Sequence, residues 1–304
     1  MLAFSTNWNV SRNHDGASIV SEILGMGFDT IELGHGLSVS QLHGIRGAFS
    51  KGGFNVISVH NFCPMPLEIS VDDPDCYEFT SHRPHERERA VQLTRQTMKT
   101  ASEFGASFVV LHLGRLQALR GLTDDLLSRL RGSGRADRSY SRSKLRAVMR
   151  REKVSRGYFR RVLNFLEPLV AEAGKMNLTL VVENRSDYEA FPTERELLEL
   201  LRHFDSPHFR YWHDFGHAQM RESLGLLDHA QWLADVAPYT VGSHLQDAKW
   251  PDEDHLVPFQ GVVPFERLVP ILPAGITYVL ELSRHATPEE IKTSVSRWNS
   301  LFSQ

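Results

Sequence analysis

LVVE (180–183), RYWHD (210–214), VGSH (241–244) and YVLE (278–281) are four short runs, each ending on a side chain that can hold a metal. The first half of the chain repeats the pattern. AFSTN (3–7) ends on Asn7, TIELG (30–34) runs through Glu32, VISVH (56–60) ends on His60, and FVVLH (108–112) on His112. Short apolar runs bounded by polar segments read as strands buried on both faces. In a parallel barrel the carboxyl ends of all strands meet on one face, so these eight positions surround a single point. Scattered core residues have no reason to fall in that register.

Helical periodicity fills the intervals. Residues 15–26 (DGASIVSEILGM) put Ile19, Ile23 and Leu24 on one face with Val20 beside them, and Gly27 follows as a C-terminal cap. Segment 85–104 carries Ala90, Leu93, Thr97 and Ala101 as its buried stripe, and 193–203 opens with the capping-box pair Thr193 and Glu196. Alternating strands and helices signify a parallel α/β fold. Eight of each in 304 residues favour one closed (β/α)8 TIM barrel spanning 1–304. An open doubly wound sheet would want a glycine-rich phosphate loop after its first strand, and NWNVSRNHDG (7–16) is not one.

One stretch breaks the rhythm. A basic segment, 115–156, is inserted before a helix expected around 157–176. Between 115 and 161 fifteen Arg or Lys stand against four Asp or Glu, so a chain of net charge −3 carries about fourteen net negative charges elsewhere. Two readings stand: a solvated helical face or loop, or a lid over the fourth strand that attracts anions. RGSGRADRSYSRSK (131–144) is rich enough in Gly and Ser to expect irregular chain.

Bulk properties narrow the class. Hydrophobic residues make up 41% and charged residues 23%, as in soluble enzymes. No apolar run approaches the roughly 20 residues that span a bilayer, and MLAFSTNWNV lacks the basic start and apolar stretch of a secretory signal, so a cytoplasmic protein without membrane association is expected. Cys63 and Cys76 form no disulfide framework, although Cys63, three residues past His60, is a candidate pocket residue.

Glu183, Asp214, His244 and Glu281 end the last four strands. Three carboxylates and an imidazole suit one divalent cation, Mn²⁺, Mg²⁺, Co²⁺ or Zn²⁺, with more than one ion left open. Converging carboxylates cannot all stay ionised without a cation. Such an ion, holding a carbonyl and an adjacent hydroxyl, stabilises an enediolate while carboxylates remove and return the proton.

The segments VVENR (181–185), YWHDFGHA (211–218), SHLQDAK (243–249) and YVLELS (278–283) resemble the xylose-isomerase-like barrel superfamily of sugar isomerases, epimerases and endonuclease IV-type enzymes. The resemblance implies a metal held by Glu183, Asp214, His244 and Glu281, with Glu183 and Glu281 exchanging the substrate proton. It also implies that His60, His112, Glu189, His217 and His255 contact the substrate, a sugar, sugar phosphate or polyol, and it leaves homo-oligomerisation open. The loop EDHLVPFQG (253–261) is similar to a family pattern but has Phe259 in place of its first glycine. Trp8, Phe62, Trp212 and Trp250 fall near strand ends, as stacking platforms for a sugar or as core.

The alternative within the superfamily is an endonuclease IV-type enzyme acting at abasic DNA through a multinuclear zinc site. Its ligands would fall on His60, His112, Glu183, Asp214, His217, His244, Glu253, His255 and Glu281. The acidic balance outside the insertion weighs against a nucleic-acid partner. A third class, a barrel that binds sugar without turnover, would bury many charges to no chemical end.

Overall fold

The structure, a computed structural model, describes residues 1–134, 137–251 and 253–302. Eight parallel strands close a barrel: β1 (Leu2–Ser5), β2 (Thr30–Leu33), β3 (Asn55–His60), β4 (Phe108–Leu111), β5 (Thr179–Glu183), β6 (Phe209–Asp214), β7 (Thr240–Leu245) and, last in the chain, β10 (Thr277–Leu280). β10 pairs with both β1 and β7, which completes the ring. Two further strands, β8 (Asp247–Lys249) and β9 (Glu253–Leu256), form an antiparallel hairpin after β7. Each expected run is a strand or abuts one: Asn7 lies in a 3-10 turn just past β1, and His112 and Glu281 directly follow β4 and β10.

Among the described residues ten helices pack outside: α1 (Gly16–Gly25), α2 (Val39–Phe49), α3 (Pro84–Glu103), α4 (Leu122–Ser133), α5 (Arg138–Lys175), α6 (Glu194–Phe204), α7 (Phe215–Ser223), α8 (His229–Val236), α9 (Phe265–Leu268) and α10 (Pro288–Phe302). Local chemistry sets their ends. Asp15 accepts from the Ser18 amide at the start of α1, Gly27 takes φ +95° just beyond it, and Thr193 with Glu196 forms the capping box of α6. The stripe Ala90, Leu93, Thr97 and Ala101 of α3 is buried.

Two apolar layers result. The larger lies between barrel and helices; the smaller, Ala3, Val110, Val181, Trp212 and Val279, fills the barrel interior. Trp212 fits only because residue 242 is glycine, since a Cβ there would stand 2.0 Å from the indole. Trp8 and Phe62 are buried, which is core packing, whereas Trp250 is exposed.

The inserted segment is mostly helix. α5 runs unbroken for 38 residues from Arg138, so the helix expected near 157 begins about five turns earlier. Arg135 and Ala136, within the Gly/Ser-rich stretch expected to be irregular, lie outside the described residues. On the outer face of α5, Arg138, Arg142, Arg146, Arg150, Lys153, Arg156 and Arg160 recur every three or four positions, all exposed. Its inner face anchors to the segments that follow the carboxyl ends of the strands. Buried Arg151 forks onto Glu196 at 2.7 and 2.9 Å and donates to the Tyr188 and Ala190 carbonyls, while the Tyr140 hydroxyl donates to the Leu224 carbonyl.

Candidate metal centre

Glu183, Asp214, His244 and Glu281 arrive from four neighbouring strands, and one ligand atom of each lies within 4.8 Å of the others. All four are buried. His244 Nδ1 stands 3.2 Å from Glu281 Oε2, 3.4 Å from Glu183 Oε1 and 3.9 Å from Asp214 Oδ2. Its Nε2 faces both oxygens of buried Glu32 at 3.2 Å, so Nε2 carries a hydrogen and Nδ1 is the nitrogen turned to the centre, free to bind an ion when unprotonated. Glu183 Oε1 and His244 Nδ1 are buried without a hydrogen-bond partner. A buried polar atom so left is costly, and a cation shared by these four residues would satisfy both.

Neighbours hold the ligands in place. Asn7 donates to Glu281 Oε1 at 2.8 Å, and Gln246 donates to Asp214 Oδ2 at 2.8 Å. Asp214 Oδ1 accepts the His217 amide at 2.7 Å as the cap of α7. Asn184 accepts the Asp214 amide and receives the Tyr211 hydroxyl, whose oxygen takes hydrogen from Trp232.

The electrostatics describe a site short of positive charge. Burial opposes charge on His244, yet Glu281, Glu32 and Glu183 raise its pKa well above the ordinary imidazole value. Burial likewise opposes ionisation of Glu183, but His244 and His112 hold its carboxyl well below the usual range. Burial raises the Asp214 pKa. His217 resists burial through Asp214 and Glu183 and reaches about 9. His244 and His217 thus favour their protonated forms, supplying positive charge that a divalent ion would otherwise bring.

Two further groups adjoin the centre. His60 and His112 meet Glu183 Oε2 at 3.3 and 3.0 Å, and His217, Asp254 and His255 form the other. The carboxylate of that second group is Asp254, not Glu253, because Asp254 Oδ1 lies 2.9 Å from His255 Nδ1 while Glu253 is exposed. His255 takes φ +56°. Phe259 takes φ +72°, the backbone of the glycine it replaces, with its ring against Phe265 and under Arg297.

A cavity of about 380 Å³ opens beside these groups, walled by Asn7, His60, His112, Arg185, His255 and Glu281 among others. That volume suits a small molecule. Glu189 does not reach it: its oxygens accept the Gly121 and Thr123 amides, each at 3.0 Å, and the Thr123 hydroxyl, so it caps α4 instead of touching substrate. Asp247 supports the following loop through the Ala248, Gly261 and Val263 amides. Cys63 is buried against α3, its thiol pushed up to about 12 by burial, and lines no part of this cavity. Sequence reasoning missed Asp75, which carries His112 Nδ1 at 3.1 Å, and passed over Arg185 inside the quoted VVENR.

Comparison with known proteins follows this geometry. Solved structures similar in fold include a D-tagatose 3-epimerase-like protein (TM-score 0.70, 15% identity, covering 99% of this chain and 97% of that one). A 3-keto-D-glucoside 4-epimerase from E. coli superposes at TM-score 0.67 with 14% identity, covering 98% of each chain. The IOLI protein with a bound zinc atom does so at 0.67 with 12% identity, covering 100% of this chain and 99% of that one. No curated protein sequence matches. The profile described as xylose isomerase-like TIM barrel matches residues 20–301. With the closed eight-stranded barrel, that match over nearly the whole length establishes that the chain belongs to the xylose isomerase-like TIM barrel family.

Proposed function

We propose that the protein is a divalent-metal-dependent isomerase or epimerase of a sugar, sugar phosphate or polyol. The observation that carries this reading is the convergence of Glu183, Asp214, His244 and Glu281, with Glu183 Oε1 and His244 Nδ1 buried and lacking a hydrogen bond. The epimerases among its structural neighbours supply the reaction class. A cation held by these residues lowers the energy of negative charge that develops on a carbonyl and its adjacent hydroxyl.

The chain's own residues do the rest. Glu183 and Glu281 exchange a carbon-bound proton, one carboxylate removing it and the other returning one. Return from the opposite face inverts a carbon; return to the adjacent carbon isomerises. Glu32 keeps the His244 hydrogen on Nε2, and Asn7 fixes the rotamer of Glu281. His60, His112 and His255 line the cavity that would hold the substrate.

Deuterium uptake from D₂O into a ketose pool, phosphorylated and free, tests the reading. Glu183→Gln and Glu281→Gln should each lower exchange by about 10²–10⁴-fold, the usual worth of a general base, with the fold intact. Wild-type exchange in either variant would remove that residue as a base, and failure of the wild type to bind metal would remove the centre.

The two flanking groups favour a second reading, a phosphodiesterase of the endonuclease IV type with several metals. Cleavage of an abasic duplex, with about three metal equivalents per chain, would establish it in place of the first.

A further inference from the structure

His60, His112 and Glu183 form a second metal-capable group whose outer atoms are already committed. His60 Nδ1 lies 3.0 Å from the Asn61 carbonyl and His112 Nδ1 lies 3.1 Å from the Asp75 carboxylate. Both partners only accept, so each Nδ1 carries a hydrogen and each Nε2 is the nitrogen turned inward. Both Nε2 atoms face Glu183 Oε2, an acceptor. A buried carboxylate so placed needs positive charge beside it, from an imidazolium, a metal or another cation.

Arg185 stands there. Its Nη1 is 2.9 Å from His112 Nε2, and its Nη2 is 3.4 Å from Asp75 Oδ2. Asp75 is held in turn by Arg115 at 3.2 Å, so this arrangement is braced from outside the centre. His112 Nε2 has one lone pair, and it can accept the Arg185 N–H or bind a metal, not both. A metal would also sit beside a guanidinium that cannot lose its charge.

We infer that Arg185 is a resident cation at the His60–His112–Glu183 group, excluding a second metal and confining the ion to the neighbouring four-residue centre. This rests on the proposed metal dependence of that centre. It also separates the two functional readings, since a multinuclear nuclease needs metal at this group.

Metal equivalents per chain, measured on the purified, metal-loaded protein, provide the test. Arg185→Met should bind one equivalent more than the wild type. Adding His112→Gln to that variant should return the count to the wild-type value. Arg185→Gln, neutral and polar, should show the same gain and serves if Arg185→Met does not fold. Folded variants that gain no metal overturn the inference while leaving the four-residue centre standing. A wild type that binds none overturns the centre itself. Should neither variant fold, anomalous scattering from wild-type crystals decides: a peak between His60 and His112 overturns the inference, and a peak confined to the four-residue centre supports it.

Discussion

Glu32 never touches the proposed ion site, yet it governs one of its ligands. Both its oxygens face His244 Nε2, and Ser58 donates to one of them at 2.7 Å. Its negative charge fixes the imidazole tautomer and strengthens Nδ1 as a donor. Glu32→Gln preserves the shape and removes the charge, so metal affinity should fall by about 10–100-fold. Titration calorimetry reads this directly; an affinity within twofold of the wild type would show Glu32 to be packing alone. At this scale the sequence was legible where a residue of the four-residue cluster ends an apolar run, as Glu183, Asp214, His244 and Glu281 do. Asp75 was not, because it lies in the irregular chain between β3 and α3, where no period marks which side chain turns inward.

Among the elements, the α4–α5 hairpin departs most from expectation. Tyr140, Ala147, Arg151 and Tyr158 do share a buried face of α5, but only one of these is aliphatic and one is an arginine. A hydrophobic count therefore overlooks the helix, and its packing depends on the ion pair to Glu196. The outer row of cations works against it, since like charges at i,i+4 cost a few tenths of a kcal/mol per pair. Glu189 ties the hairpin down by capping α4, so it belongs to stability and not to substrate binding. Glu189→Ala should cost about 0.5–2 kcal/mol, the usual worth of a helix cap. It should also hasten proteolysis within 121–134. Unchanged cleavage there, with unchanged melting, would refute this role.

For the molecule as a whole, a buried pair of neutral histidines sets a pH dependence. His213 and His229 meet Nε2 to Nε2 at 3.0 Å, and His213 Nδ1 contacts the Tyr211 hydroxyl at 2.9 Å. One Nε2 must donate and the other accept, so a proton on the accepting Nε2 sets hydrogen against hydrogen. Burial, with Arg267, lowers the His229 pKa to about 3, and burial with His229 lowers that of His213. In the unfolded chain each titrates near about 6.5, so between that pH and about 3 the unfolded state binds more protons. Folding stability therefore falls as pH falls, by up to about 1.4 kcal/mol per pH unit for each ring. His229→Gln should flatten this slope by one proton between about pH 6 and 4.5 in denaturant titrations. Parallel curves for variant and wild type would show that the pair does not titrate on unfolding. None of this was visible in the sequence, where the two histidines lie 16 residues apart on different elements.

The apolar plug of Ala3, Val110, Val181, Trp212 and Val279 closes the barrel beneath His244. A substrate of the proposed reaction, bound at the strand ends, would then leave by the opening through which it came. Turnover would be one-molecule-at-a-time traffic through a shared aperture, with the released product competing with fresh reactant for the same threshold.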